Sequence, residues 1–354
     1  MRKIWREAIK DVWNRYWELI LVLIGLITTL STAPSPTWVQ ILNSLLAIAL
    51  AVRLYREFGQ ALRIRKVKHI PIVVVIGKGD DVAASCWQDA MNAMERWDFD
   101  SERYRRDFDV EKEDLLIHLD EPLPPKPDEW LKVVSKFRKR LERLNRRLPG
   151  RRVYHLFING PIALGVGLGA GMGTMFEVVI HHWAPGSGEM PYYPAIDFYS
   201  LSERNRRGMH IIEDPVSGEF KYIRTEGESK GAKELYTSIW MARDDPRPAV
   251  EELVTQKIRE GESAESLHIV QLEQRSLTPE DDWILCAREI LTCLHNFTAG
   301  RERSHLFLSV PMPLAVAIGL GLEHFKPITV YSWWPQEKKF YPVLDLDRLG
   351  RTAV

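Results

Sequence analysis

His155-Leu156-Phe157-Ile158-Asn159-Gly160-Pro161 recurs 150 residues further on as His305-Leu306-Phe307-Leu308-Ser309-Val310-Pro311. Each heptad is a short apolar run closed by a polar residue and a proline, the pattern of a buried strand that turns into a helix. The match runs on without a gap, Leu164, Val166, Leu168 and Gly169 being answered by Leu314, Val316, Ile318 and Gly319. Downstream, Tyr193-Pro194-Ala195-Ile196-Asp197 is answered by Tyr341-Pro342-Val343-Leu344-Asp345. Upstream, Leu119 and Glu129-Trp130-Leu131 are answered by Leu272 and Asp282-Trp283-Ile284. A fourth block pairs the run from Ile72 to Ile76, ending in Lys78-Gly79-Asp80-Asp81, with the run from Leu235 to Met241, ending in Arg243-Asp244-Asp245. Four blocks in one order mark an internal duplication.

Each copy reads as strand, helix, strand, helix, strand, helix, strand and strand. The predicted fold class is therefore α/β: two fused Rossmann-like units with mostly parallel sheets, over residues 70–225 and 232–349. Ligands of such sheets sit beyond the carboxyl ends of the strands, and two adjacent rims suit a ligand with pseudo-symmetry of its own.

Several rim residues are candidates for binding. Asn159-Gly160-Pro161 and Ser309-Val310-Pro311 offer helix amides to an anion, with Asn159 and Ser309 acting either as added donors or as helix caps. Lys78 and Arg243 either reach a phosphate or are solvated, while Asp80 and Asp244 are expected to cap the following helices. Gln274 and Arg275 end another strand of the second copy. Trp183, Trp333 and Trp334 close matching strands, where the rings either stack on bases or pack in the core. Gly165, Gly167, Gly169, Gly171 and Gly173 resemble a dinucleotide fingerprint, yet the second copy has Ala315, Ala317, Gly319, Gly321 and Glu323. Small side chains for close packing of helix on sheet are the expected reason.

Residues 1–60 have a different character. No charge occurs from Leu19 to Val52, and Pro34 and Pro36 split the run into arms at about 16–33 and 37–54. Each arm is at the short end of the roughly 17 to 25 residues that cross a bilayer, so an α-helical transmembrane hairpin is expected. Arg2, Lys3, Arg6, Lys10 and Arg15 precede it and a basic linker, residues 61–69, follows it. The loop between the arms has no basic residue, which puts both termini on the cytoplasmic side. Gln40, Asn43 and Ser44 form a polar stripe on the second arm.

Lysine plus arginine and aspartate plus glutamate are equal at 48 each, so the chain has no general field to hold a long nucleic acid. Cys86, Cys286 and Cys293 read as packing residues. No GxSxG elbow, HExxH helix or Walker loop occurs, so no catalytic set is expected. His181 and His182 point to opposite faces of a strand and no third ligand is apparent, so neither metal nor cofactor is expected. The helix from Leu131 to Arg152 is heavily basic where its counterpart is apolar; its charged face is solvated or lies against acidic lipid or a partner.

The tandem blocks, with His-Leu-Phe, a proline-led small-residue helix and a terminal Tyr-Pro-x-x-Asp strand, resemble the SAVED domain, two fused CARF-like units. The resemblance covers roughly Ile70 to Leu349 and implies a bacterial anti-phage (CBASS) effector. It further implies a cyclic oligonucleotide ligand, a tri- or tetranucleotide containing adenine, made by a CD-NTase-type nucleotidyltransferase. Ligand binding is expected to drive homo-oligomerisation and disruption of the lipid bilayer by the hairpins at the bacterial inner membrane. A membrane-anchored nuclease that degrades the ring and a passive membrane scaffold are the alternatives.

Overall fold

In the computed structural model the described residues are 17, 21, 24, 25, 28, 41, 44–53, 67–97, 99–173, 176–184, 191–199, 220–228, 230–273, 276–322 and 327–351. The chain divides into two compact units, Met1–Lys68 with Leu148–Arg152, and His69–Arg147 with Val153–Val354.

In the first unit, the described residues of both expected arms are helical. Trp17, Leu21, Ile24, Ile41, Leu45, Leu46, Ile48 and Val52 are exposed. Among the described residues no helix is long and apolar enough to cross a membrane. Most of the expected hairpin, including Gln40 and Asn43, lies outside the described residues.

The second unit holds both sequence copies. The first contributes β1 (Lys68–Ile76), α1 (Asp80–Glu95), α2 (Ser101–Phe108), α3 (Lys112–Leu115), β2 (Leu116–Leu119), α4 (Pro127–Arg147), β3 (Arg152–Asn159), α5 (Ile162–Met172), β4 (Glu177–Trp183) and β5 (Tyr192–Asp197). The second contributes β6 (Ile223–Glu226), β7 (Glu234–Trp240), α6 (Arg247–Arg259), β8 (Ala264–Gln271), α7 (Trp283–Thr298), β9 (Arg303–Ser309), α8 (Met312–Leu322), β10 (Ile328–Trp334), β11 (Lys339–Asp345) and α9 (Leu346–Arg351).

The sheet orders are β2-β1-β3-β4-β5 and β11-β10-β9-β7-β8-β6, so the second repeats the first with β6 added. β6 straddles the expected boundary at 225 and pairs antiparallel with β8. Strands β1 and β3 are almost wholly buried and correspondingly apolar, as parallel central strands must be. The last strand of each sheet is antiparallel, with a register shift between Ile180 and His181 in one copy and between Val330 and Tyr331 in the other. Pro194 and Pro342 sit beside these two shifts. An edge strand with a bulge tolerates the missing N–H, which accounts for the Tyr-Pro-x-x-Asp signature.

On one face α1 packs Ala83, Cys86 and Ala90 against Val73, Val75 and Phe157. In the second half α6 likewise packs Val250 and Val254 against Tyr236 and Phe307. Trp130 and Trp283, one per copy, are both buried, and their indole N–H groups donate to Pro124 O and Thr278 O at 2.7 and 2.8 Å.

The halves join through a row of helices in the order α4, α5, α8, α7. Helices α5 and α8 are buried all round, and their crossing is reciprocal. A Cβ on Gly169 would lie 2.1 Å from Val316 O, and one on Gly319 would lie 2.1 Å from Val166 O. Gly165, Gly169 and Gly319 thus serve a helix-on-helix crossing between the copies in place of the expected packing of helix on sheet. Gly167 meets the sheet first, Leu344 of β11 at 2.7 Å, and then Val134 of α4 at 3.0 Å; Gly171 faces Val134 and Gly321 faces Leu291 of α7.

Candidate ligand site at the paired strand ends

The glycine contacts fix how the two rims are arranged. Gly165 faces Met312 and Ala315, whereas Gly169 faces Val316 and Leu320, so the contacts advance in the same sense along both helices. Their N-termini, and with them Asn159-Gly160-Pro161 and Ser309-Val310-Pro311, therefore open to the same side. Pro161 occupies the N-cap of α5 in extended conformation and lacks a side-chain cap bond. Leu164 N donates to Pro161 O at 3.0 Å, and Leu314 N donates to Pro311 O at 3.0 Å. Residues 162–163 and 312–313 precede these bonds, and Pro313 has no N–H, so the first copy offers one more leading amide than the second.

Asn159 does not cap its helix; its Nδ2 donates to Cys86 Sγ at 3.4 Å. Asn159, Gly160, Pro161, Ser309 and Pro311 are all half-buried. Gly160 sits close to β1, where an added Cβ would lie 3.3 Å from Ile76 Cβ, while the matching Val310 is buried in its own copy.

The parallel ladders end with Leu156 paired to Ile180 and Phe307 paired to Tyr331. Beyond these last pairs, Asn159 and Trp183 end β3 and β4, and Ser309 ends β9 while Trp333 lies near the end of β10. Both rings are open to solvent, Trp183 at 50% and Trp333 at 44% exposure, which leaves them available for stacking. Trp334 is half-buried and pairs with Lys339 across β11.

Lys78 and Arg243 are exposed just beyond β1 and β7. Gly77, at φ 72°, makes the turn before Lys78, and Lys78 O accepts from His118 Nε2 at 2.7 Å. Arg243 lines a cavity of about 310 Å³ with Trp240, Met241, Val270 and Gln271. Gln274 and Arg275 lie outside the described residues.

The aspartates after these cations are not the expected caps. Gly79 holds the N-cap of α1 and Pro246 that of α6, neither with a side-chain bond. Asp80 instead faces His118 at 3.5 Å and Asp244 is exposed, while its neighbour Asp245 accepts from the Arg247 backbone N–H at 3.0 Å and pairs with the Arg247 guanidinium at 2.8 Å.

Trp240 was missed by sequence reading, although it closes a strand as Trp183 does. The Arg247 guanidinium lies 4.5 Å from its ring and pairs with Asp245 and, at 2.6 Å, with Glu226. Hydrogen bonds to Asp245 chiefly hold Arg247 above its usual pKa, and its guanidinium presents a positive charge to the aromatic face. Beneath the rim, Ser238 Oγ lies 2.7 Å from His268 Nδ1, and His268 Nε2 lies 2.6 Å from Glu251. This is the hydrogen-bond order of an acyl-transfer triad, but Ser238 is wholly buried and its Oγ faces no solvent.

The sensor domain described as SAVED, SMODS-associated and fused to various effectors, matches residues 93–198 and 213–346. No curated protein matches the chain. The chain is similar to the Cap4 SAVED/CARF-domain containing receptor of Acinetobacter baumannii with the cyclic trinucleotide 2'3'3'-cAAA, at 14% identity and TM-score 0.49, covering 85% of this chain and 56% of that one. With 3'3'3'-cAAA the same receptor gives 14% identity and TM-score 0.47, covering 92% and 65%. The Moraxella osloensis Cap4 receptor gives 12% identity and TM-score 0.44, covering 87% and 59%. This chain thus spans less than two thirds of the length of each of these receptors. With the family match running through both duplicated halves and about two thirds of the residues, the chain belongs to the SAVED sensor-domain family.

Proposed function

We propose that this chain is a membrane-anchored receptor of bacterial anti-phage signalling whose two rims together bind a cyclic oligonucleotide. The observation that carries the reading is the parallel crossing of α5 and α8, which opens two equivalent strand-end rims to one side. A ring of linked nucleotides has the matching pseudo-symmetry: phosphates meet the leading amides, Lys78 and Arg243, and bases meet Trp183 and Trp333. The ligand is a tri- or tetranucleotide containing adenine, made by a CD-NTase-type nucleotidyltransferase. The chain acts as a receptor, not an enzyme, and needs neither metal nor cofactor.

Binding selects an assembly-competent state, and the homo-oligomer gathers N-terminal hairpins that span the bacterial inner membrane with both termini cytoplasmic. Clustered short arms disturb a bilayer roughly 30 Å thick. The exposed apolar side chains on the described parts of both arms support that placement.

Calorimetric titration of the full chain in detergent with a panel of cyclic di-, tri- and tetranucleotides tests the sensing step. One adenine-containing ring is expected to bind, with Trp183→Ala, Trp333→Ala and Arg243→Ala each weakening it about tenfold. A chain that binds none of the panel refutes the reading. Recovery of linear product from the bound ring indicates a nuclease instead, and ligand binding without dye leakage from proteoliposomes removes the membrane step alone.

A further inference from the structure

We infer that the outward face of α4 is a docking surface for the anionic headgroup layer of a lipid bilayer. Lys132, Lys136, Lys139, Arg143 and Arg146 are all exposed, and their spacing of four, three, four and three residues puts them in one line along the helix. At 1.5 Å per residue the line is about 21 Å long. Glu129 neutralises Lys132 at 2.7 Å, and Asp114 is shared by Arg143 and Arg147. Lys136, Lys139 and Arg146 have no ion partner among the described residues. In a chain whose charges balance overall, this face is a strong local excess.

The duplicated half shows what this position normally holds. Trp130 and Trp283 are equivalent, which aligns Lys136 with Glu289 and Lys139 with Thr292. In α7 both of those positions are buried. Glu289 accepts from the amides of Lys221 and Tyr222 at 2.8 and 2.9 Å, so the segment leading into β6 lies over the helix. Over α4 the described residues provide no such cover. A shallow depression of about 980 Å³ takes its place, lined by seven cationic side chains and two carboxylates.

A lipid surface fits this face better than other anions. No large apolar side chain is exposed on α4, so the helix adsorbs by charge and does not insert. Linear cationic arrays are attracted to the anionic cytoplasmic leaflet and released by salt. The inference rests on the membrane placement proposed above.

The test labels Ser135→Cys, which lines the depression, with a fluorophore; the three native cysteines are buried. The full chain is reconstituted in phosphatidylcholine vesicles with or without phosphatidylglycerol, each carrying a headgroup quencher. Quenching is expected to rise severalfold with phosphatidylglycerol, to fall with salt, and to vanish in Lys136→Glu/Lys139→Glu/Arg146→Glu. Equal quenching in both lipids, or in the triple variant, overturns the assignment. So does capture of an octaglutamate peptide at physiological salt without lipid-dependent quenching, which assigns the face to an acidic peptide. Flotation with phosphatidylcholine vesicles in high salt reports the anchor separately; a chain that fails to float is assayed by adding it to preformed phosphatidylglycerol vesicles.

Discussion

Three imidazoles stand in a row at the centre of the first half, and a mixed set stands at the same place in the second. His69 Nδ1 lies 2.9 Å from His155 Nε2, and His155 Nδ1 lies 3.0 Å from His181 Nε2. In the second half His305 lies between Glu234, at 3.3 Å, and the Tyr331 hydroxyl, at 3.2 Å. The carbon frame is nonetheless the same: Phe157 stacks on His181 at 4.2 Å and 23°, and Phe307 on Tyr331 at 4.3 Å and 25°. Duplication has kept the positions that set strand faces and the helix crossing. Polar chemistry has diverged wherever only ring volume and one hydrogen bond are required.

The largest effects are expected where the two halves agree. Gly169→Ala and Gly319→Ala each drive a methyl into backbone carbonyl oxygen, which cannot move without shifting a helix. Each should cost about 3 kcal/mol or more in urea unfolding. Gly165→Ala meets Met312 Sδ at 2.6 Å, the far end of a flexible side chain, and should cost about 1 kcal/mol. Equal costs at Gly165 and Gly169 would break the reciprocal crossing and, with it, the alignment of the two rims.

A second contrast lies between equivalent helix positions of opposite charge. Glu289→Ala leaves the buried Tyr222 amide and the part-buried Lys221 amide without their acceptor and should cost about 2 kcal/mol. Lys136→Ala removes an exposed side chain with no ion partner among the described residues and should change stability by less than about 0.5 kcal/mol. A large loss at Lys136 would mean that α4 is covered as α7 is.

The duplication, the strand order within each copy and the alternation of strand and helix were legible because burial on both faces forces continuous apolar runs. The glycine stripe was legible as close packing, but its partner was not. Alternating small residues report that something approaches a helix, and only the fold says that it is the other copy. Asp80 and Asp244 resembled caps because aspartate stands at the approach to a helix in both copies; the caps fall one residue earlier in the first copy, at Gly79, and two residues later in the second, at Pro246. At the site, Trp183 and Trp333 could be found by their recurrence. Trp240 could not, since the first copy has no tryptophan at the end of β1.

The last expected effect returns to the histidines and has a definite sign. Burial, followed by the neighbouring His181 and His69, lowers His155 to about 2, and burial followed by Arg96 lowers His181 to about 3. Both are therefore neutral in the folded chain, whereas the unfolded chain takes up protons below about pH 6.5. Their contribution is fully present above that pH and is lost as the pH falls towards 3. Between about pH 7.5 and 5.5 the loss should be about 1 kcal/mol per histidine, read as a lowered urea midpoint. His181→Tyr copies the second half, where Tyr331 bonds the equivalent His305 Nδ1, so it can keep the bond to His155 while removing one of the titrating groups. The variant should lose about half of the acid sensitivity; an unchanged pH slope would show that the imidazole row does not set it.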